Sequence, residues 1–164
     1  MKTGIIIVFH NYENEIDIDF FKSYCRELKH IEFCLVNNDS KDDTYLILKD
    51  LKEHFKNVSV VNIKRFKSDI SAVKCGARYM FNAFKLKHLG YVNANSLNTR
   101  HHGLNTVMVM INEYQDEIIR YDKKILRDQN KKQTLFQKLF SVVDYLKKIE
   151  LEKQVDNLHY QSKF

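Results

Sequence analysis

The sequence contains no proline and only four glycines. Its turns must therefore rely on Asn, Asp and Ser, whose side chains hydrogen-bond to nearby backbone groups. It also lacks any apolar run long enough to cross a bilayer. The apolar run at Ile5–Phe9 is too short for the core of a secretory signal peptide, and no small-residue cleavage site follows it. We therefore expect a cytoplasmic protein.

Cysteine is also scarce, since the chain has only Cys25, Cys34 and Cys75. Their odd number and wide spacing fit neither a disulfide framework nor a set of metal ligands. Free cysteine behaves as a small apolar residue in protein interiors. We expect the three thiols to be reduced and mostly buried.

The charge is basic, with 27 Lys and Arg against 21 Asp and Glu. Such an excess attracts nucleic acid, anionic lipid or a phosphorylated ligand, and the net charge does not distinguish among them. Acidic residues are interspersed throughout and no nucleic-acid-binding motif occurs, so we expect no nucleic-acid partner. From residue 120 onward, the chain has 11 basic and 6 acidic residues. This excess leaves open a peripheral contact with the anionic inner face of a membrane.

The first hundred residues alternate short apolar runs with amphipathic stretches. The runs are rich in β-branched and aromatic residues, and the stretches place apolar residues on one helical face. This pattern predicts a mostly parallel α/β sheet with right-handed crossovers. Ser40 is the expected N-cap of the second helix. The predicted strands are 4–9, 32–37, 58–63 and 90–94, and the predicted helices are 17–29, 42–55 and 69–87.

The remainder of the chain has a weaker pattern. It predicts a helix over 104–114, a short strand at Ile118–Ile119 and a polar connector over 121–133. Thr134–Gln137 has the sequence of a capping box, and we expect a helix from there to about residue 153. We therefore expect one domain, with residues 1–98 as a ligand-binding half and 99–164 as a helical extension packed on it.

Polar residues follow three of the predicted strands directly. They are His10-Asn11, Asn37-Asn38-Asp39 and Asn93-Ala94-Asn95. In open parallel sheets, ligands bind outside the carboxyl ends of the strands. The sequence therefore predicts a ligand site where these three loops meet.

Four segments together resemble the family 2 glycosyltransferases, which have the GT-A fold. Ile5–Asn11 is similar to the first strand and loop of that family, and Leu35–Thr44 to its second strand, acidic turn and helix start. Ile70–Gly76 is similar to its glycine-containing helix, and Gly90–Asn95 stands where the family has a strand followed by Asp-x-Asp. The resemblance implies a nucleoside-diphosphate sugar as substrate.

The resemblance also implies roles for individual residues. Asn38 stands where the family offers a carboxylate to the base, and His10 stands where it has a tyrosine able to stack on the base. From the residues alone, the asparagines could equally form a turn, His10 could be an ordinary loop residue, and the helical cations could be solvated. The implied nucleotide-binding residues are His10, Asn11, Asn38, Asp39, Lys74 and Asn93. The implied diphosphate or sugar residues are Arg78, Asn95 and Arg120.

The main departure from the family is Asn93-Ala94-Asn95 in place of Asp-x-Asp. Asn95 stands at the family's metal-ligand position, but Mg²⁺ and Mn²⁺ prefer anionic oxygen ligands. We therefore expect no required metal, or only weak Mg²⁺ or Mn²⁺ binding. Lys and Arg can neutralise a diphosphate without a metal.

Two functions stay open at this level. The first is a glycosyltransferase that moves the sugar, with inversion, to a saccharide or polyprenyl-phosphate acceptor. A hydroxyl acceptor needs a general base, whereas a phosphate acceptor does not. The second is a catalytically inactive relative that serves as an interaction module, and a homo-oligomer is compatible with either. The candidate bases are Glu113, Asp116, Glu117 and Asp156, of which we select Asp156.

Overall fold

The computed structural model describes residues 2–97, 103–129 and 132–162. These residues form an α/β architecture in which helices alternate with parallel strands through most of the chain. Two short 3-10 turns, Ala94–Ser96 and Leu135–Lys138, follow β4 and precede β5. The strands are β1 (Lys2–Phe9), β2 (Ile31–Asn38), β3 (Val58–Ile63), β4 (Leu86–Asn93) and β5 (Phe140–Ser141). The helices are α1 (Ile18–Glu27), α2 (Thr44–His54), α3 (Asp69–Ala83), α4 (Leu104–Asp128) and α5 (Val142–Ser162).

The strands form one sheet in the order β3-β2-β1-β4-β5, and every neighbouring pair is parallel. Ile6 at the centre of β1 lies opposite Cys34 of β2 and Tyr91 of β4. Continuous apolar runs are expected where both faces of a parallel sheet are covered, and β2 is buried along its whole length. The predicted α/β fold with a mostly parallel sheet is confirmed.

Each face of the sheet carries its own apolar core. On one face, Ile7 and Leu35 pack with buried residues of α1, α2, α4 and α5. On the other face, Ile6 and Val36 pack against α3. A Cβ added to Gly76 of α3 would lie 2.8 Å from Cγ2 of Ile6, so glycine allows α3 to lie this close to the sheet. Because α4 and α5 share the first core, the second half of the chain stabilises the strands that carry the loops.

The predicted strand at Ile118–Ile119 is wrong, because both residues lie inside α4. The predicted connector is wrong over 121–128, which is also helical. Ile118 and Asp122 are buried and extend the core-facing side of the helix beyond Ile111 at helical spacing. The backbone departs from helical angles at Tyr114 (φ −110°, ψ 20°), where two helical segments meet.

The capping box predicted at Thr134 is present, but it caps the 3-10 turn and not a long helix. The long helix begins only at Val142, because Phe140 and Ser141 first pair with Gly90 and Tyr91 of β4. The predicted boundary at residue 98 lies outside the described residues.

Cys25 and Cys34 are buried and all three cysteines are free, as expected. Burial raises the pKa of both buried thiols to about 12, so they stay protonated and unreactive at neutral pH. Cys75 is only partly buried. Among the helices that the structure describes, none combines the length and apolar character needed to cross a membrane.

Candidate functional site

His10 lies at the centre of the carboxyl edge of the sheet, where the loops after β1, β2 and β4 meet. Its backbone N–H donates to Oδ1 of Asn95, at 2.8 Å. Its ring Nδ1 donates to the backbone carbonyl of Asn38, at 2.7 Å. The structure therefore brings together residues from three loops that the sequence predicted to meet at this edge.

The orientation of the His10 ring is set by contacts on several sides. Nε2 accepts a hydrogen bond from the side-chain amide of Asn11, at 3.2 Å, while Nδ1 donates to Asn38. This pair of bonds selects the neutral tautomer that carries its proton on Nδ1. The ring of Phe66 meets the His10 ring edge-on, with 4.8 Å between ring centres. The imidazole is thus held as part of an aromatic pair at the mouth of the site.

Two residues in these loops adopt the left-handed backbone conformation, Asn11 (φ 47°) and Asp39 (φ 51°). Asn and Asp tolerate this region better than other residues with a side chain. Hydrogen bonds between the loops hold Asn11 in place: its N–H donates to Oγ of Ser40 and its Oδ1 accepts from the N–H of Lys41. Such strained residues persist where surrounding contacts over-determine them, which is common at ligand-binding loops.

Asn95 binds the backbone of His10 at two points. Its Oδ1 accepts from the His10 N–H, and its Nδ2 donates to the His10 carbonyl at 2.5 Å. An aspartate could accept the first bond, but its second oxygen would face a carbonyl oxygen and repel it. Both ends of the amide are therefore used to hold the loop after β1.

Asn38 makes the same kind of two-point contact with Lys67. Its Nδ2 donates to the Lys67 carbonyl at 2.9 Å, and its Oδ1 accepts from the Lys67 N–H at 3.0 Å. The Asn38 side chain is buried, and this contact holds the loop between β3 and α3. Both ends of the Asn38 amide bind backbone in this structure. The contact of Asn38 with a nucleotide base stays a prediction.

Asp39 lies beside these contacts and pairs with Lys41, at 2.9 Å between Oδ1 and Nζ. The hydrogen bond from Lys41 holds the pKa of Asp39 below its ordinary value. Asp39 is thus an ionised carboxylate at the rim of the site, already neutralised by a neighbouring cation.

Lys74 and Arg78 lie on α3, on the face of the sheet toward which the side chain of Asn93 also points. The Lys74 Nζ lies 5.6 Å and the Arg78 Cζ 5.5 Å from the centre of the Phe136 ring. Such contacts orient a cation without neutralising it. Nδ2 of Asn93 is buried with no partner among the residues that the structure describes. Lys74 and Arg78 thus share Phe136 as a neighbour, and Asn93 lies on the same face of the sheet.

Arg120 and Asp156 lie elsewhere. Both line a groove of about 490 Å³ between α4 and α5. Two residues beyond Arg120, Asp122 binds His88, which lies in the first half of β4. Arg120 is therefore toward the amino edge of the sheet, and the structure does not bring it or Asp156 together with the His10 loops.

Comparison with known families identifies the family to which this sequence is related. Residues 4–84, about half of the chain, match the family model of Glycosyl transferase family 2. The chain is a family 2 glycosyltransferase-like protein. The match covers three of the four segments that carry the sequence resemblance and ends before Asn93-Ala94-Asn95. No curated protein matches the chain.

A metal centre in this glycosyltransferase-like protein would need clustered carboxylate, imidazole or thiolate ligands. No group of three His, Cys, Asp or Glu side chains that could hold a metal ion occurs in the described ranges. Asn95, which stands at the expected metal position, holds the backbone of His10 instead. The described donor set therefore does not fit a divalent cation bound by protein ligands alone.

Sequence reasoning missed two features of the glycosyltransferase-like site. Phe66 lies in the exposed run Lys64–Lys67, and an aromatic residue among three cations after β3 was the signal that could have indicated it. The prediction that Ser40 caps α2 is wrong, since Ser40 binds Asn11 and the helix begins at Thr44. Asp43 is the N-cap residue but its side chain makes no capping hydrogen bond, and the carboxylate of Asp42, one residue earlier, accepts from the Thr44 N–H at 3.0 Å.

Asp42→Ala is expected to destabilise the protein by about 1 kcal/mol at neutral pH and by less in acid. Burial raises the pKa of Asp42, but hydrogen bonds from Thr44 and from the Glu13 backbone outweigh it and bring the pKa below its ordinary value. Such a carboxylate stabilises the fold above the unfolded-state pKa of about 4. That contribution disappears as the pH falls through the folded-state pKa.

Urea denaturation of wild type and variant at neutral and at strongly acidic pH measures this difference. Asp43→Ala is the matched control, because the side chain of Asp43 makes no capping hydrogen bond. An Asp42→Ala loss that is equal at both pH values would contradict the assignment.

Proposed function

We propose that this protein binds a nucleoside-diphosphate sugar at the carboxyl edge of the sheet and transfers the sugar with inversion. The observation that carries the proposal is the aromatic pair at that edge. Phe66 is 60% exposed although it is a large apolar residue, and its partner His10 is held by hydrogen bonds from three loops. An exposed aromatic beside an oriented imidazole is suited to pack against a nucleotide base.

We propose that protein cations, and not a metal, offset the diphosphate. Lys64, Arg65 and Lys67 flank Phe66 and are exposed. The contact between Asn38 and the Lys67 backbone fixes this run at the edge of the site. Arg and Lys can bind phosphate oxygens directly, through charge-assisted hydrogen bonds. Nucleotide-sugar binding should therefore proceed in the absence of Mg²⁺ and Mn²⁺.

We propose a polyprenyl phosphate as the acceptor, in preference to a saccharide hydroxyl. In the transfer, an acceptor oxygen forms a bond to the anomeric carbon while the bond to the diphosphate oxygen breaks, and the nucleoside diphosphate leaves. A hydroxyl would need a base at that point, and the predicted base, Asp156, lies in the groove between α4 and α5. A phosphate acceptor already carries an anionic oxygen. A transfer assay that offers both acceptors tests this choice.

Calorimetric titration with UDP-, GDP- and TDP-sugars tests the binding step. We expect at least one to bind, with the same affinity in EDTA as in Mn²⁺. Phe66→Leu keeps an apolar side chain but removes the ring, and should weaken binding about tenfold. Tyr79→Leu removes a partly exposed aromatic from α3 and should leave affinity unchanged.

Two results would contradict the proposal. One is a lack of binding of every nucleotide sugar at millimolar concentration. The other is binding that disappears in EDTA, which would mean that a metal bridges the diphosphate and that the exposed cations do not suffice.

A further inference from the structure

His88, Asp122 and Tyr145 form a buried chain of hydrogen bonds toward the amino edge of β4. The His88 Nδ1 donates to Oδ2 of Asp122 at 2.6 Å, and the Tyr145 hydroxyl donates to Oδ1 at 2.8 Å. Asp122 is only 1% exposed, and His88 only 6%. Burial and the bond to Asp122 raise the pKa of Tyr145, so its hydroxyl remains a neutral donor. Both carboxylate oxygens are therefore occupied, and the imidazole is fixed in direction.

The other ring nitrogen of His88 has no role within this chain. Nε2 is buried and has no hydrogen-bond partner among the described residues. Buried polar atoms in native proteins are almost always paired, so Nε2 is suited to bind a partner from outside the chain. His88 also lines a groove of about 480 Å³ on the protein surface.

Three cations line the same groove, Lys87 from β4 and Lys123 and Arg127 from α4. In the part of the chain that the structure describes, none of the three takes part in an ion pair. Lys123 and Arg127 are four residues apart and therefore project from one side of the helix. The groove thus combines three cations that form no ion pair among the described residues with the side chain of His88, whose Nε2 is unpartnered.

We propose that this groove binds a phosphate group. A phosphate monoester carries up to about two negative charges at neutral pH and three acceptor oxygens, which suit three cations better than a single carboxylate would. In its imidazolium form, balanced by Asp122, His88 donates from Nε2 to a phosphate oxygen. In its neutral form it accepts from the acid oxygen of a protonated phosphate. The site lies toward the opposite edge of the sheet from His10 and does not depend on the proposed transferase function.

Titration with inorganic phosphate, followed by calorimetry and by NMR of the histidine ring protons, tests the site. We expect phosphate to shift the His88 signals and to leave those of His10 in place. Lys123→Gln and Arg127→Gln should each weaken binding about tenfold. Lys124→Gln is the matched control, because Lys124 is the next residue on α4 but lines the groove between α4 and α5. It should change affinity by less than about twofold.

The His88→Asn substitution distinguishes the role of Nε2 from that of Nδ1. The asparagine amide can still donate to Asp122 from a position close to that of Nδ1, but nothing replaces Nε2. We expect a folded protein, judged by circular dichroism, with phosphate affinity reduced about tenfold. Unchanged affinity in a folded His88→Asn protein would overturn the proposal. So would equal losses in Lys124→Gln and Lys123→Gln, phosphate shifts at His10 alone, or no phosphate binding.

The same phosphate chemistry could come from a soluble compound or from a lipid headgroup. Flotation with phosphatidylcholine vesicles, with and without phosphatidic acid, distinguishes the two sources. Binding that requires phosphatidic acid and disappears in Lys123→Gln identifies a headgroup. Binding of inorganic phosphate without vesicle binding identifies a soluble phosphate, and either result supports the site.

Discussion

Asp122→Ala should lower the free energy of unfolding by about 3–5 kcal/mol, the largest effect expected of any single change considered for this protein. The substitution removes the acceptor for two buried donors at once, Nδ1 of His88 and the hydroxyl of Tyr145. Neither donor can turn to water, because His88 is 6% and Tyr145 7% exposed. Stranding buried polar groups costs far more than the net contribution of the hydrogen bonds themselves.

Urea denaturation followed by circular dichroism measures this loss. Asp128→Ala removes a carboxylate from the same helix at an exposed position and should change stability by less than about 0.5 kcal/mol. Tyr145→Phe strands no donor but leaves one buried oxygen of Asp122 without its hydrogen bond, and should cost about 1–2 kcal/mol. If Asp122→Ala were no more destabilising than Asp128→Ala, the buried chain would not stabilise the fold.

Asn95→Asp should destabilise the protein by about 1 kcal/mol, the net contribution of a hydrogen bond at an exposed position, and should not create a metal site. The change looks like a restoration of the family's carboxylate, but the amide nitrogen of Asn95 donates to the His10 carbonyl. A carboxylate oxygen in its place would repel that carbonyl and remove one of the restraints on the loop after β1. Since the backbone of His10 is then held less firmly, nucleotide-sugar affinity should also fall, by up to about tenfold.

Calorimetry with Mn²⁺ and with the nucleotide sugar, together with urea denaturation, checks both parts of this expectation. Asn157→Asp makes the same change of charge at an exposed position on α5 and should leave stability and affinity unchanged. Tight Mn²⁺ binding by Asn95→Asp, with stability retained, would show that the two-point contact with His10 is dispensable.

The first half of the fold could be predicted because each element there carries its own local signal. Runs such as Ile5–Phe9 are buried on both faces, so every position is apolar and the strand is visible without its partners. The second half could not be predicted as well. A buried aspartate, Asp122, interrupts the apolar pattern of α4, and its partners His88 and Tyr145 are distant in sequence. Strand β5 has only two residues, and it forms by pairing with the open edge of β4.

The site shows the same division. Topology places the loops after parallel strands at one edge, so the meeting of His10, Asn38 and Asn95 followed from the strand order. The groups that each amide binds could not be inferred from the strand order. Asn95 binds a residue 85 positions earlier in the chain, and Asn38 binds one 29 positions later. Residue type alone could not tell an asparagine that contacts a ligand from one that binds backbone.

The central position of β1 has a consequence for folding during synthesis. One edge of β1 pairs with β2, which is made soon afterwards, but the other edge waits for β4. Until residues 86–93 leave the ribosome, the apolar stretch Ile5–Val8 has an open edge that can pair with a neighbouring nascent chain. A translational pause between β3 and β4 should therefore promote aggregation more than a pause after β4.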